Sequence, residues 1–472
     1  MADFKDSKED EKGEEKLSFA WLPAGVKPMA DGEYDAIVMG TGLTECILSG
    51  LLSVKGKRVL QVDRNGYYGS DTASLTLPTL FEKFRNSEPP ADKFGTNYRD
   101  WNVDLVPKFI MASGNLVKIL LHAKVTAYLD FRPIDGSFVY KDAKVHKIPA
   151  TGSEVLTSGI IGFFEKRTFY NFLNFVQNYE EADPKTWKDG KKLTDMTMGQ
   201  LYDAFGLADF TRTFCGHAMA LHLNDNYLQE PADKTCELIK LYVYSTLRYG
   251  KSPYIYPLYG LGGMPEAFTR MCALHGGTFM LNRDVDEVLF GDDGKAWGIK
   301  SEGEIAKAPI IIGESTYFES KKSKKIGSTV RSICILNHPI KSTNDADSTQ
   351  IIIPSSQLNR KYDMYVCVIN YKHLVASEGM WIAIVSTTVE NESDPISELK
   401  PGIALLGDIL ERFDSICPLY EPVAKGKTDG CFITKSYDAT SHFETVADDV
   451  LDLYEQIMGE PLDMVNVPED ES

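Results

Sequence analysis

Apolar positions change their spacing twice along the chain, and the changes divide it into parts. Ala36-Ile37-Val38-Met39 is a short, unbroken apolar run and reads as a buried strand. The turn Gly40-Thr41-Gly42 follows it, and Cys46 to Val54 predicts a helix. Arg58 to Val62 reads as a second strand and ends on Asp63. A strand, a glycine turn, a helix and a strand, with an acid about 20 residues past the glycines, is a Rossmann-type opening. Arg99 to Pro107 predicts a strand leaving a charged loop, Leu116 to Leu121 a helix, and Tyr128 to Phe131 and Phe138 to Tyr140 two strands.

Past Pro149 the spacing becomes helical. Ile161, Phe164, Phe172, Phe175, Val176 and Tyr179 recur at helical intervals, and Met198–Phe205, Phe210–Leu223 and Cys236–Leu247 continue the pattern. Pro184 and Pro231 stand between these runs, where helix breakers belong. After Pro253 the alternation of strands returns at 279–282, 287–290, 296–299 and 310–312, with Gly291-Asp292-Asp293-Gly294 as a hairpin turn. Further strands are predicted at 333–336, 350–353, 364–369 and 381–385, and Asp448 to Met458 predicts a closing helix. The expected fold is α/β: a discontinuous, Rossmann-like sheet domain of flavoprotein type, from residues 33–148 and 250–460, with a helical domain inserted at 149–249. Residues 1–32 read as a disordered charged extension and 461–472 as a tail.

Composition narrows the function. At 472 residues, with 43% hydrophobic positions, two or three well-cored domains are expected. A net charge of −18 argues against a general nucleic-acid binder, which needs clustered Lys and Arg. The eight Cys lie scattered with no C-x-x-C pair, as in reduced cytoplasmic thiols. No apolar run is long enough to span a bilayer, the N-terminus is not signal-like, and neither terminal sequence carries a lipidation motif. Membrane contact is therefore expected through a surface or a partner.

The glycine turn raises a flavin-dependent oxidoreductase as the first enzymatic reading. In G-x-G-x-x-G the third glycine lets the helix pack close beside a pyrophosphate, and here that position is Glu45, a bulky anion. A carboxylate beside two phosphates opposes binding, so the scaffold points to a nucleotide and the substitution points away from it. Arg248-Tyr249-Gly250-Lys251-Ser252 imitates the end of a phosphate-binding loop, but it follows a helix and lacks the earlier glycine. His217 and His222, five residues apart, do not share a helical face and read as packing or surface residues. No H-E-x-x-H or G-x-S-x-G motif is present. The Phe- and Met-rich helical region fits either an ordinary core or a bundle that opens to an apolar ligand.

Six segments resemble the Rab GDP-dissociation inhibitors. They are Gly40 to Gly50; Asp63-Arg64-Asn65 with Tyr67-Tyr68-Gly69; Arg99 to Leu105; Gly216 to Leu221; Arg248 to Tyr254; and Ser436 to Thr440. The related Rab escort proteins carry an insertion that this chain lacks. The resemblance implies a cytoplasmic, monomeric carrier without a cofactor. It would bind GDP-loaded, prenylated Rab GTPases, slow nucleotide release and extract them from membranes, touching the membrane transiently. The family's Rab-binding platform falls on Tyr68, Arg270 and Met280. Its platform Glu falls on Gly263, so one anionic contact is missing, and Glu266 lies close by. The family's mobile, membrane-linked loop matches Arg248, Tyr249, Gly250, Lys251 and Ser252, and its groove for the Rab C-terminal tail falls near Leu120 and Val125. The helical insert matches the lipid-binding domain, with Phe172, Phe175, Phe214 and Met219 as the expected geranylgeranyl pocket. Gly40, Gly42 and Glu45 would then be vestiges of a cofactor site.

Overall fold

The computed structural model describes residues 19–149, 154, 162 and 165–464. Unbroken apolar strands must be covered on both faces, and a parallel sheet flanked by helices meets that need. Five such strands form a parallel sheet in the order Thr278–Met280, Val59–Val62, Ala36–Met39, Ile310–Glu314, Cys431–Thr434. The helix Leu43–Val54 packs on it and is buried from Leu43 to Ser53. It starts three residues before the expected Cys46, so Glu45 sits in its first turn. The helix Gly263–Leu274 crosses closely at Gly50, where a Cβ would lie 2.5 Å from Met271 Cε and 3.2 Å from Phe268 Cδ1.

A second sheet has seven strands, ordered Glu411–Pro422, Ser323–Leu336, Trp381–Thr388, Met364–Asn370, Thr349–Ile353, Gly136–Lys141, Lys144–Lys147. It is antiparallel except where Thr349–Ile353 runs parallel to Gly136–Lys141. A four-stranded sheet, Lys27–Glu33, Glu304–Lys307, Ala296–Ser301, Glu287–Phe290, flanks the parallel one. The first of these strands corrects the expected extension over 1–32. Lys27–Glu33 pairs parallel with Glu304–Lys307, Met29 is fully buried, and Trp21 meets Trp297 edge-on while donating to Glu33 Oε1 at 2.6 Å. Residues 1–18 lie outside the described residues.

Other expectations are corrected locally. Of the strand expected over 99–107 only Val103–Asp104 forms. Tyr128 closes a 3-10 turn, Val125–Tyr128, and the strand lies at Phe131–Pro133. Phe210–Leu223 is not one helix: Asp209–Thr213 is α-helical and Phe214–Met219 is a π-turn, with Ala220 N donating to Cys215 O. Ile161 and Phe164 lie outside the described residues.

The helical insert is built on Glu165–Asn178, Met198–Phe205 and Ala232–Tyr249. Thr197 and Gln200 cap the second helix reciprocally, and Gly206, at φ 65°, ends it. Phe169, Phe172, Tyr202, Phe214 and Ile239 share one buried cluster with Leu51, Ile119 and Tyr254, so the insert's core is continuous with that of the sheets.

Two buried polar joints complete the frame. Lys108, fully buried, donates to Asp438 Oδ1 at 2.7 Å and to Thr440 O, Thr440 Oγ1 and His442 O at 3.0–3.1 Å. His217, on the π-turn, meets Asp363 Oδ2 through Nδ1 at 2.7 Å and Asp225 Oδ1 through Nε2 at 3.0 Å. Asp363 immediately precedes the sheet strand Met364–Asn370, so His217 clasps the insert to the sheet.

Candidate functional site

The Rossmann turn is closed by the chain's own side chains. Asp63, the acid that would hold a ribose, accepts at Oδ2 from Thr41 N (2.7 Å), Thr41 Oγ1 and Ser70 Oγ (2.8 Å), and at Oδ1 from Asn65 N (2.7 Å). Leu43 N, at the helix N-terminus where a phosphate would dock, donates to Thr72 Oγ1 and Tyr437 Oη, both at 3.1 Å. Glu45 folds back over Gly42, its Oε2 2.6 Å from the place a Gly42 Cβ would take, and its Oε1 accepts from Thr434 Oγ1 at 2.6 Å. Burial pushes the Glu45 carboxyl up to about 8, the Thr434 hydrogen bond only partly opposing it. The remaining cavity, about 220 Å³, is lined by three acids, Glu45, Asp71 and Glu314, and by two basic residues, Arg331 and Lys435. The donors and the space that a dinucleotide needs are taken, and the residues do not fit one.

A stability prediction follows. A carboxyl with a raised folded pKa stabilises the fold fully below its unfolded pKa, near 4.5 for Glu, and loses that contribution as pH rises through about 8. Glu45→Gln keeps an acceptor for Thr434 and cannot ionise. Its stability is expected to stay flatter from pH 5 to 8 and to exceed wild type at pH 8 by roughly 2 kcal/mol. Urea titrations at both pH values test this; equal slopes for the two proteins contradict it.

A different surface gathers the residues that the resemblance singled out. Tyr68 follows the strand Val59–Val62 and packs edge-to-face on Phe279, ring centroids 6.3 Å apart, with Met280 the next residue along the paired strand. Burial, then the neighbouring Cys46 and Glu266, raises the Tyr68 hydroxyl above its ordinary value. Glu266 and Arg270 stand one turn apart on the helix Gly263–Leu274, both exposed, and the Arg270 guanidinium lies 4.5 Å from the Tyr128 ring centre. Gly263 opens that helix, and a Cβ there would make only an ordinary 3.5 Å contact with Leu129 Cδ2. The position therefore has room for a side chain.

The segment Arg248 to Ser252 divides in two. Arg248, Tyr249 and Gly250 are exposed at the end of a helix that also exposes Tyr244 and Leu247, and Gly250 caps it at φ 74°. Lys251 pairs with Asp135 at 2.6 Å, and Ser252 is buried, donating to Ile134 O at 2.7 Å. Leu120 and Val125 are buried; the accessible apolar groove beside them is lined by His122, Lys124, Tyr128 and Leu274.

In the insert, Phe172, Phe214 and Met219 are fully buried and Phe175 half-buried. Phe172 packs on Tyr202 and Phe205, and Phe214 on Phe169. Met219 borders a cavity of about 360 Å³, lined by Leu221, Leu223, Leu238 and Leu241 and by polar groups including Glu230, Glu444 and Asp448. Sequence reasoning missed the clasp at His217. Its partners lie 8 and 146 residues away, and the five-residue interval to His222 is uninformative once the helix becomes a π-turn.

The GDP dissociation inhibitor family model matches residues 30–469. The chain is 51% identical over 432 residues to the probable secretory pathway GDP dissociation inhibitor 1 of Schizosaccharomyces pombe, covering 92% of this chain and 97% of that protein. It is 50% identical over 434 residues to Rab GDP dissociation inhibitor beta of Rattus norvegicus, covering 91% and 96%. Among solved structures, Rab GDI of Plasmodium falciparum superposes with a TM-score of 0.88 at 48% identity, over 91% of this chain and 99% of that one. An oxidoreductase of Methanosarcina mazei, 15% identical with a TM-score of 0.56 over 89% and 100%, shares the fold alone. The likeness to flavoproteins thus stops at the scaffold, and over nearly its whole described length the chain belongs to the GDP dissociation inhibitor family.

Proposed function

We propose that this chain is a carrier rather than an enzyme. It binds GDP-loaded, prenylated Rab GTPases, slows GDP release and draws them from membranes as a soluble one-to-one complex in the cytosol. The observation that carries this reading is the convergence of Tyr68, Phe279 and Met280 with Glu266 beside an exposed Arg270, on a fold whose dinucleotide cradle is shut. Arg270 supplies a charge-assisted donor and Tyr68 an aromatic anchor for the GTPase switch segments, which order differently with GDP and GTP.

A prenyl chain loses about 0.8 kcal/mol for every CH₂ left in water, so a soluble carrier needs an apolar slot. The cavity at Met219, with Leu221, Leu238 and Leu241, is a suitable entry, and the slot itself forms as the buried aromatic core at Phe172, Phe175 and Phe214 parts. Tyr244, Leu247 and Tyr249, exposed beside Arg248, suit a brief membrane contact. The groove at Lys124 and Tyr128 is the place for the GTPase's C-terminal segment.

Titration calorimetry with unprenylated, GDP-bound Rab tests the platform. Arg270→Ala is expected to weaken binding 10-fold or more, about 1.4 kcal/mol. Gly263→Glu restores the anion at a site with room for it, and at a helix N-terminus that favours negative charge; it is expected to tighten binding several-fold. Unchanged affinity in both variants removes the platform assignment.

A further inference from the structure

The cavity left beside the shut dinucleotide cradle has a buried cation in its wall that no anion balances. Glu314 and Thr434 line this space of about 220 Å³ from the parallel sheet, and Arg331, Ile416 and Tyr420 from the seven-stranded one. Arg331 is 2% exposed. Its Nη2 donates to Tyr437 O at 2.6 Å and to Asp438 O at 3.0 Å. Among the described residues Nε and Nη1 make no hydrogen bond, and no carboxylate pairs with the guanidinium. The neighbouring charges do not repair this. Lys108 feels Arg331 as a like charge, and Asp438 is already engaged by Lys108 at 2.7 Å. A buried charge without a counter-charge is costly, and a bound anion removes that cost. Two further donors border the cavity. Lys435 is exposed and reaches Asp449 only at 3.8 Å. Ser436 Oγ accepts from Tyr420 N at 3.0 Å, which leaves its own proton to donate.

The acids of the same cavity set the opposite requirement. Burial, and then the charge of Asp71, raises the Glu314 carboxyl. Among the described residues neither acid forms an ion pair, and Glu314 accepts only from Thr316 Oγ1, at 2.6 Å. A bare anion therefore meets Asp71 and Glu314, and a bare cation meets Arg331 and Lys435; a molecule carrying both charges avoids both repulsions. Two cations and a hydroxyl donor match a group with several acceptor oxygens, as a phosphoryl group has. The space equals that of about seven waters, which excludes a nucleotide and admits a molecule of that size.

We propose that this cavity binds a small phosphoryl–ammonium zwitterion of the phosphoethanolamine type, its phosphoryl group on Arg331, Lys435 and Ser436 and its ammonium on Asp71 and Glu314. The site is separate from the platform at Tyr68, Arg270 and Met280, and the assignment does not rest on the carrier reading, because its test needs no GTPase.

Titration calorimetry of the full chain with phosphoethanolamine tests it. One-to-one binding is expected, at least tenfold tighter than that of inorganic phosphate or ethanolamine alone. Lys435→Met and Asp71→Asn, both at exposed positions, are each expected to weaken it fivefold or more. Arg331→Met is expected to abolish it, but also removes two hydrogen bonds of the fold, so the two exposed positions decide. Co-sedimentation with vesicles separates the two sources of this chemistry. Retention on phosphatidylethanolamine but not phosphatidylcholine vesicles, lost in Lys435→Met, assigns a lipid headgroup; binding of phosphoethanolamine without retention assigns the free molecule. No binding, phosphate binding as tightly as phosphoethanolamine, or an affinity indifferent to both exposed substitutions in protein with native circular dichroism would each overturn the proposal.

Discussion

Asp438→Ala is expected to lower the free energy of unfolding by about 3–5 kcal/mol, the largest effect of any substitution outside the apolar core. Lys108 is fully buried, and among the described residues the hydrogen bonds of its ammonium go to one short segment: Asp438, Thr440 and His442. Burial pushes the Lys108 ammonium down, and the charge and hydrogen bond of Asp438 are the first to oppose it. Burial would likewise raise the Asp438 carboxyl, but Lys108 overrides it and holds that group well below the usual carboxylate range. Removing the acid leaves a buried cation with neutral acceptors only. Removing both charges avoids that, so Lys108→Met with Asp438→Ala is expected to cost less than Asp438→Ala alone. Urea midpoints for the three variants check the order, and a double variant worse than the single one contradicts it. The joint also serves the site: it fixes the segment after Tyr437, whose hydroxyl occupies the helix N-terminus at Leu43.

The second large effect concerns the clasp. Burial alone would push the His217 imidazole down, but its hydrogen bond to Asp363 and that group's charge, then Asp225, raise it to about 9. A basic group with a raised folded pKa stabilises fully below its unfolded pKa, near 6.5, and the contribution fades as pH rises through about 9. Wild-type stability is therefore expected to fall between pH 6.5 and 9 in a way that His217→Gln does not show. Asp363→Ala, which strands the imidazole and frees Ser355 N, is expected to cost about 3 kcal/mol at pH 6.5 and less at pH 9. Thermal melts across this range decide the matter; a pH-independent loss in Asp363→Ala contradicts the clasp. Because His217 sits on the turn that carries Phe214 and Met219, the same substitution is expected to loosen the insert locally.

The buried parallel strands and long amphipathic helices were legible in the sequence because one period dominates each. Ala36–Met39, Ile310–Glu314 and Glu444–Met458 lie close to their expected places. The buried strand Tyr254–Pro257 and the helix Gly263–Leu274 escaped, and so did two half-exposed strands. Glu411–Pro422 mixes charged residues with half-exposed or exposed apolar ones such as Ile416 and Leu419 at the edge of the seven-stranded sheet, and Lys27–Glu33 buries little beyond Met29 and Gly32. Neither carries an apolar period strong enough to see. Glu45 was visible as an obstacle to a cofactor, but not the way it is used: its partner Thr434 lies 389 residues away. Tyr68, Arg270 and Met280 came from the family resemblance alone. Their surroundings, Phe279, Glu266 and Tyr128, depend on how the helix Gly263–Leu274 packs beside the sheet, which no local pattern encodes.

The most direct test of the carrier account is an extraction assay. Membranes bearing prenylated Rab, loaded with either GDP or a non-hydrolysable GTP analogue, are mixed with the purified chain and sedimented. The account predicts that GDP-loaded Rab moves to the supernatant in a one-to-one complex while the GTP-analogue form stays on the membrane. Retention of both forms, or equal release of both, contradicts it.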